Sequence, residues 1–339
     1  EDVRARINVL SECRERWSKA ITRWARLNRR NRTEVEEAPA PDRNDEYLLY
    51  QTLIGAWPLM SMDEVRYEEF VTRIERYMIK AVREAKRHTS WINPHPAYEA
   101  ALSRFIRAIL SSRMANPFLD DFLPFQSMVA RYGMYNSLSQ LLVKLAAPGV
   151  PDCYQGAELW ELNLVDPDNR QPVDYTLRTR MLEDFDRAAK EGPSERIPML
   201  RGLVESWQDG RLKLFVLQAA LRHRRACPEL YLDGDYVALD CEGPRSGHLC
   251  AFARLHRDQA VVAVAPRLMA GLADAERDGL SDDLWRDNWV TVPSWKNGSV
   301  YEHLFTGERF ETCNRGERQV LPVGQLLKHS PVALLTRCA

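Results

Sequence analysis

Three pairs of carboxylates lie close enough in sequence to work on one substrate: Asp120 with Asp121, Glu158 with Glu161, and Asp166 with Asp168. Glycoside transfer with retention needs two carboxyl groups about 5 to 5.5 Å apart, one as nucleophile and one as acid/base. Neighbours on a helix point about 100° apart, so Asp120-Asp121 suits a solvated face or a helix terminus better than a shared substrate. Asp166 and Asp168 flank Pro167 and could share one face of a loop with Asn169 and Arg170. There a carboxylate would accept hydrogen bonds from donors on a ligand, and a guanidinium would donate a fixed fork to oxygen atoms. The same residues admit a plainer role, in which Asp166 caps a turn and Arg170 pairs with Asp168 or Asp174. Glu158 and Trp160 precede them, and an indole can offer its face to a pyranose or simply fill a core. His88 and Trp91 end a basic run, Lys80, Arg83, Lys86 and Arg87, which otherwise reads as a solvated helix face.

Composition narrows the classes. Forty-seven basic against forty-eight acidic residues leave a formal charge of -1, so no global field draws the chain to nucleic acid or an anionic membrane, and a neutral ligand fits at least as well. No run of about 18 apolar residues occurs, which excludes a transmembrane helix. With 45% hydrophobic residues in 339 the chain can bury one large core or two ordinary ones. The seven cysteines, none closer than nine residues to the next, match neither a zinc knuckle nor a compact disulfide framework, and a reducing cytoplasm is the simplest setting. Seven scattered histidines include no HExxH, so neither a metal nor another cofactor is expected.

The elements that must position these groups are mostly helical. Val3, Ile7, Leu10, Trp17, Ile21, Trp24 and Leu27 recur at helical spacing and predict one long amphipathic helix over 2–28. Residues 29–44 collect charge, Pro and Ala and read as a mobile connection. Helices are expected over 46–56, 62–88, 97–111, 119–132 and, after Gly133, 136–146. Val150 to Gln155 has the length of a strand, between Pro148-Gly149 and Gly156. Helices over 177–190 and 211–226 bracket a short polar link. Beyond Cys227 short strands are predicted at 236–241, 248–255, 260–264, 289–292, 300–304 and 332–336, with Asp233-Gly234 and Thr306-Gly307 as hairpin signals. Several short strands in about 110 residues fit a β-sandwich.

The stretch PGVPDCYQGAELW, followed by LVDPDNRQPVDY, resembles the maltooligosyltrehalose synthases, a family within the α-amylase group. The first half is shared by the wider group, where it lies on the last barrel strand; the second half is far more specific. Further likeness runs through EDVRARINVLSE, EYLLYQTLIGAWP, KAVREAKRHTSWINPHPAYEAA and NSLSQLLVKLAAPG, and loosens after about Leu230. Cys153 and Gln171 depart mildly from the pattern.

The resemblance implies an α+β multidomain chain: a helical region over 1–147, the last strand and helix of a (β/α)8 barrel with the substrate loop over 148–227, and an all-β sandwich over 228–339. A complete barrel needs about 250 residues and eight strands, and this chain supplies one. The family's catalytic carboxylates belong to earlier strands, so none is assigned here. What the resemblance implies is binding of a maltooligosaccharide, through Asp166 and Arg170 to the glucose that accepts the transferred chain, with Asp168, Asn169, Glu158, Trp160, His88 and Trp91 as further candidates. The N-terminal barrel portion of the same enzyme would be the partner, and the apolar face of the 2–28 helix and Val150 would be exposed toward it. Alternatives are another hydrolase or glucanotransferase of the α-amylase group, or a non-catalytic glucan- or protein-binding chain.

Overall fold

The computed structural model describes residues 1–111, 115–190, 193–272, 284–295 and 299–338. The chain groups into two compact units: residues 1–133 with Leu162–Pro172, and residues 134–161 with 173–339. Among the described residues, no helix is long and apolar enough to cross a membrane.

In the first unit, α1 (Asp2–Val9) and α2 (Arg14–Leu27) are separate helices rather than one. Their apolar face is not exposed: Val3, Val9, Leu10, Trp17 and Trp24 are all buried. Periodicity misses the break because both helices bury residues at compatible spacing. Arg6, polar by pattern, is buried as well and donates to the carbonyls of Gly55 and Trp57, at 3.0 and 2.6 Å. Burial lowers its pKa to about 10, with Asp2 opposing the change.

Residues 29–44, expected to be a mobile connection, fold into a turn and a hairpin, β1 (Thr33–Val35) with β2 (Ala38–Ala40), that pairs Thr33 with Ala40. Its two turn residues, Glu36 and Glu37, have φ of 49° and 63°. Asn-Gly would announce such a turn; Glu-Glu does not. α3 (Arg43–Ala56) and α4 (Glu64–Ala85) follow, started by the carboxylates of Asp42 and Asp63, which accept from Asp45 N and Arg66 N. α5 (Pro96–Ile109) comes next. α6 is a single helix, Pro117–Ala146, uninterrupted at Gly133. That glycine is a close-approach residue and not a breaker: a Cβ there would lie 2.6 Å from Arg6 Cγ and 3.0 Å from Arg6 Cα.

The core of this unit is aromatic. Trp24 meets Tyr50, Phe118, Phe122 and Phe125 with ring centroids 5.4 to 5.8 Å apart. Trp57 joins Phe122 to Phe70 of α4 at 5.1 and 5.0 Å, so the cluster fixes where α4 lies.

In the second unit the expected strand at 150–155 is absent; the segment is irregular. Among the described residues it has no neighbouring strand, and Pro151 removes a ladder donor, so the length and composition of a strand are not enough to form one. All pairings in the described sheets are antiparallel. Among the described residues there is therefore no barrel strand, where the last strand of a barrel was expected. Arg224 instead ties the end of α6 to this segment, donating to Leu145 O at 2.6 Å and Gly149 O at 2.9 Å.

α7 (Tyr175–Lys190), α8 (Pro193–Glu205) and α9 (Arg211–Ala226) follow, with α8 standing where a polar link was expected. Pro198 inside it conceals a helix that buries Leu200 and Leu203. Asp233-Gly234 leads from the short α10 (Pro228–Leu232) into β3 (Asp235–Ala238) and is not a hairpin.

Among the described residues the remaining strands are β4 (Cys241–Glu242), β5 (Leu249–His256), β6 (Gln259–Pro266), β7 (Trp289–Val292), β8 (Val300–His303), β9 (Arg309–Glu311), β10 (Cys313–Arg315), β11 (Arg318–Pro322) and β12 (Ala333–Arg337). They form a six-stranded sheet of order β3-β5-β6-β12-β8-β9 and a four-stranded sheet of order β10-β11-β7-β4. β6 is buried from Ala260 to Pro266, as its apolar run requires. Gly307, at φ 75°, makes the expected turn between β8 and β9.

His303 ends β8 fully buried, with Nδ1 accepting from the Phe305 amide at 3.1 Å. Burial lowers its pKa to about 3, and nearby His329 adds to the effect. Unfolded, the ring takes up a proton near pH 6.5, whereas folded it stays neutral until about pH 3. Stability therefore falls as pH drops through that window, by at most about 1.4 kcal/mol per pH unit, and this contribution is constant above it. Urea melts across the window check the slope; His303→Asn, which keeps an acceptor for Phe305, flattens it.

Candidate functional site

The site builds from α4 and the 162–172 segment, both within the first unit. The segment makes one tight turn, with Asp168 N donating to Val165 O at 3.2 Å and Arg170 N to Pro167 O at 3.1 Å. Asp168 faces inward: its carboxylate accepts from Leu164 N at 2.6 Å and lies 3.8 Å from Arg73 Nε. Asn169 Oδ1 is buried without a hydrogen-bond partner. Asp166 and Arg170 face outward and pair with each other, with side chains 52% and 73% exposed. The pairing of Arg170 with Asp168 or Asp174, open from the sequence, is not the one formed; Asp174 instead caps α7 by accepting from Leu177 N at 2.9 Å.

An ion pair this exposed is worth at most about 1 kcal/mol, so exchanging it for hydroxyl groups of a ligand costs little. A groove of about 1300 Å³ lies alongside, lined on one side by Met62, Val65, Arg73 and Tyr77 and on the other by Val165, Asp166 and Asp168. Trp91, 56% exposed, also lines it, with the Arg83 guanidinium 4.8 Å over its ring. An apolar wall with an exposed indole, edged by carboxylates and guanidinium groups, suits a ligand with an apolar face and a rim of hydroxyls.

The remaining candidates lie elsewhere. His88 is not among the groove's lining residues: its Nε2 lies 2.8 Å from Asp42 Oδ2 and its ring stacks on Tyr98 at 4.4 Å. Burial pushes the Asp42 carboxyl up, but hydrogen bonds from His88 and the Asp45 amide outweigh this and hold it below its usual range. Burial raises the Asp45 carboxyl, which accepts from Tyr98 Oη. Ligand atoms of Asp42, Asp45 and His88 come within 4.8 Å of one another, although no metal is expected from the sequence. Each is engaged in this internal network, which accounts for the grouping.

Glu158 and Trp160 belong to the second unit. Glu158 pairs with Arg178 at 3.0 Å, and Arg178 also holds Gly156 O. Trp160 donates to Trp207 O at 2.6 Å, with Lys213 5.7 Å from its ring centroid. Asp121 is structural, accepting from Arg23 Nε at 3.0 Å and from the buried Trp24 indole at 2.7 Å.

Two residues that matter to the site carried no sequence signal. Arg73 donates to Leu162 O at 3.1 Å and Ala56 O at 3.3 Å, and Lys80, read as part of a solvated face, donates to Asp166 O.

No protein-family model matches the chain. It is 35% identical over 264 residues, 78% of its length, to a protein of Mycobacterium tuberculosis assigned as a maltooligosyl trehalose synthase, and the match covers 29% of that protein. The maltooligosyltrehalose synthase structure from Arthrobacter ramosus matches all of the chain with a TM-score of 0.74 at 31% identity, over 37% of its own length. A further maltooligosyl trehalose synthase structure matches all of it with a TM-score of 0.71 at 28% identity, over 38% of its length. Likeness of this extent, in sequence and in fold, makes the chain a homologue of one group of carbohydrate enzymes. They are the maltooligosyltrehalose synthases, and the chain spans about a third of their length.

Asp121→Ala leaves the Trp24 N–H buried without an acceptor and is expected to lower stability by about 1.5 to 3 kcal/mol in urea denaturation. Asp121→Asn, which keeps an acceptor for the indole, costs less.

Proposed function

We propose that this chain is the part of a maltooligosyltrehalose synthase that grips the reducing-end glucose of a maltooligosaccharide. The reaction is an intramolecular transglucosylation that turns the reducing-end α-1,4 linkage into α,α-1,1. The observation that supports this best is the outward-facing Asp166–Arg170 pair beside a groove lined by Asp168 and Trp91. Asn169, with its buried free acceptor in the same segment, stands behind these as a binding residue. The two sheets formed by residues 235–337 are read here as the β-sandwich domain of the family.

Retaining transfer leaves the glucan held as a covalent glucosyl intermediate on one carboxylate while the other serves as acid and then base. No residue here is assigned either role; both belong to the barrel portion of the complete enzyme, the proposed partner of this chain. What the groove decides is the next step. Released glucose either stays, turns and presents its anomeric hydroxyl to the intermediate, or leaves and lets water take its place.

The isolated 339-residue chain is therefore expected neither to isomerise nor to hydrolyse maltopentaose. Robust turnover by the purified polypeptide would overturn this and make Asp166 and Asp168 catalytic suspects.

In the complete enzyme, Asp166→Ala and Arg170→Ala are expected to shift product from the trehalose-capped oligosaccharide toward free glucose with little change in unfolding stability. Losing a charged hydrogen bond weakens retention of the glucose about ten- to hundredfold. The product ratio measures it, and an unchanged ratio with normal activity would return both residues to a structural role.

A further inference from the structure

We infer that Arg73, assisted by Lys80, is the positioning residue that sets the sugar-facing segment, and so acts on product partition without touching the sugar. This rests on the proposed role of Asp166 and Arg170. Arg73 and Lys80 stand seven residues apart on α4, two turns of one helix and therefore on one face. From that face they hold the segment at separate points. Arg73 takes its entry, donating to Leu162 O at 3.1 Å, and its turn, through Asp168 at 3.8 Å. Lys80 takes the carbonyl of Asp166 itself, the residue whose side chain faces outward. Asp168 in turn fixes Leu164 N, so the guanidinium holds a folded turn and not a single atom.

Arg73 is itself fixed. Its guanidinium also donates to Ala56 O at the end of α3 and lies 5.5 Å from the ring centroid of Phe70. The contacts to the segment are made to its main chain and to its inward carboxylate, leaving the Asp166 and Arg170 side chains directed outward. A planar guanidinium presents its donors from separate nitrogens in a fixed fork, whereas a lysine at position 73 would offer a single ammonium nitrogen.

Hydrogen exchange on the 339-residue chain and product analysis on the complete enzyme test this together. Arg73→Gln is expected to speed exchange of the amides within 162–170 about tenfold or more while amides of α5 are unchanged. It is also expected to move the product ratio in the same direction as Asp166→Ala, through loss of glucose retention more than through the KM for the glucan. Arg73→Lys falls between, and Lys80→Met, at a half-buried position, gives a smaller effect of the same kind and serves as the test if Arg73→Gln does not fold. Unchanged exchange in the segment overturns the inference. So does a loosened segment with a normal product ratio in an enzyme whose Asp166→Ala ratio has moved. If Asp166→Ala leaves the ratio unmoved, the sugar-gripping role falls, and exchange alone still decides whether Arg73 sets the segment.

Discussion

Burying an indole N–H without a partner is costly, and in the helical unit one such donor, satisfied, sets helix against helix. Trp24 is fully buried, and its indole finds Asp121 on α6. Satisfying one donor thus sets α2 against α6 at a defined height. Around that point Tyr50, Phe118, Phe122 and Phe125 pack edge-on or tilted against the ring, an arrangement aromatic quadrupoles favour. The cluster extends through Trp57 to Phe70, one turn before Arg73. The placement of the groove's charged wall is in this way inherited from a hydrogen bond made in the core.

The 162–172 segment divides its labour by direction. Groups that look inward are short-range and half-buried: Asp168 with Leu164 N, and main-chain carbonyls with α4. Those that look outward are long, charged and well exposed. Energy that fixes the backbone is therefore separate from energy available to a ligand. A binding residue held by its own recognition contacts would lose shape whenever the ligand left.

Much of this was legible in the sequence where pattern and packing coincide. α4, α5 and α9 follow their apolar spacing, and β7 matches its expected span. Failures came where one residue type serves two physical purposes. Gly133 reads as a breaker, yet its missing Cβ admits the Arg6 backbone. Arg6 reads as surface, yet it supplies donors to the carbonyls at the end of α3. The 150–155 run has a strand's composition but no neighbouring strand among the described residues, and strands exist only in pairs. Arg73 is one arginine among several on an amphipathic helix; only the fold tells which of them meets a carbonyl.

The way the segment is attached limits what it gains by detaching. Residues 162–172 pack with the first unit while the chain on either side, ending at Glu161 and resuming at Val173, packs with the second. The segment is thus a short loop tethered at both ends. If it lifts from α4, it gains only the entropy of a closed loop, far less than a free terminus would.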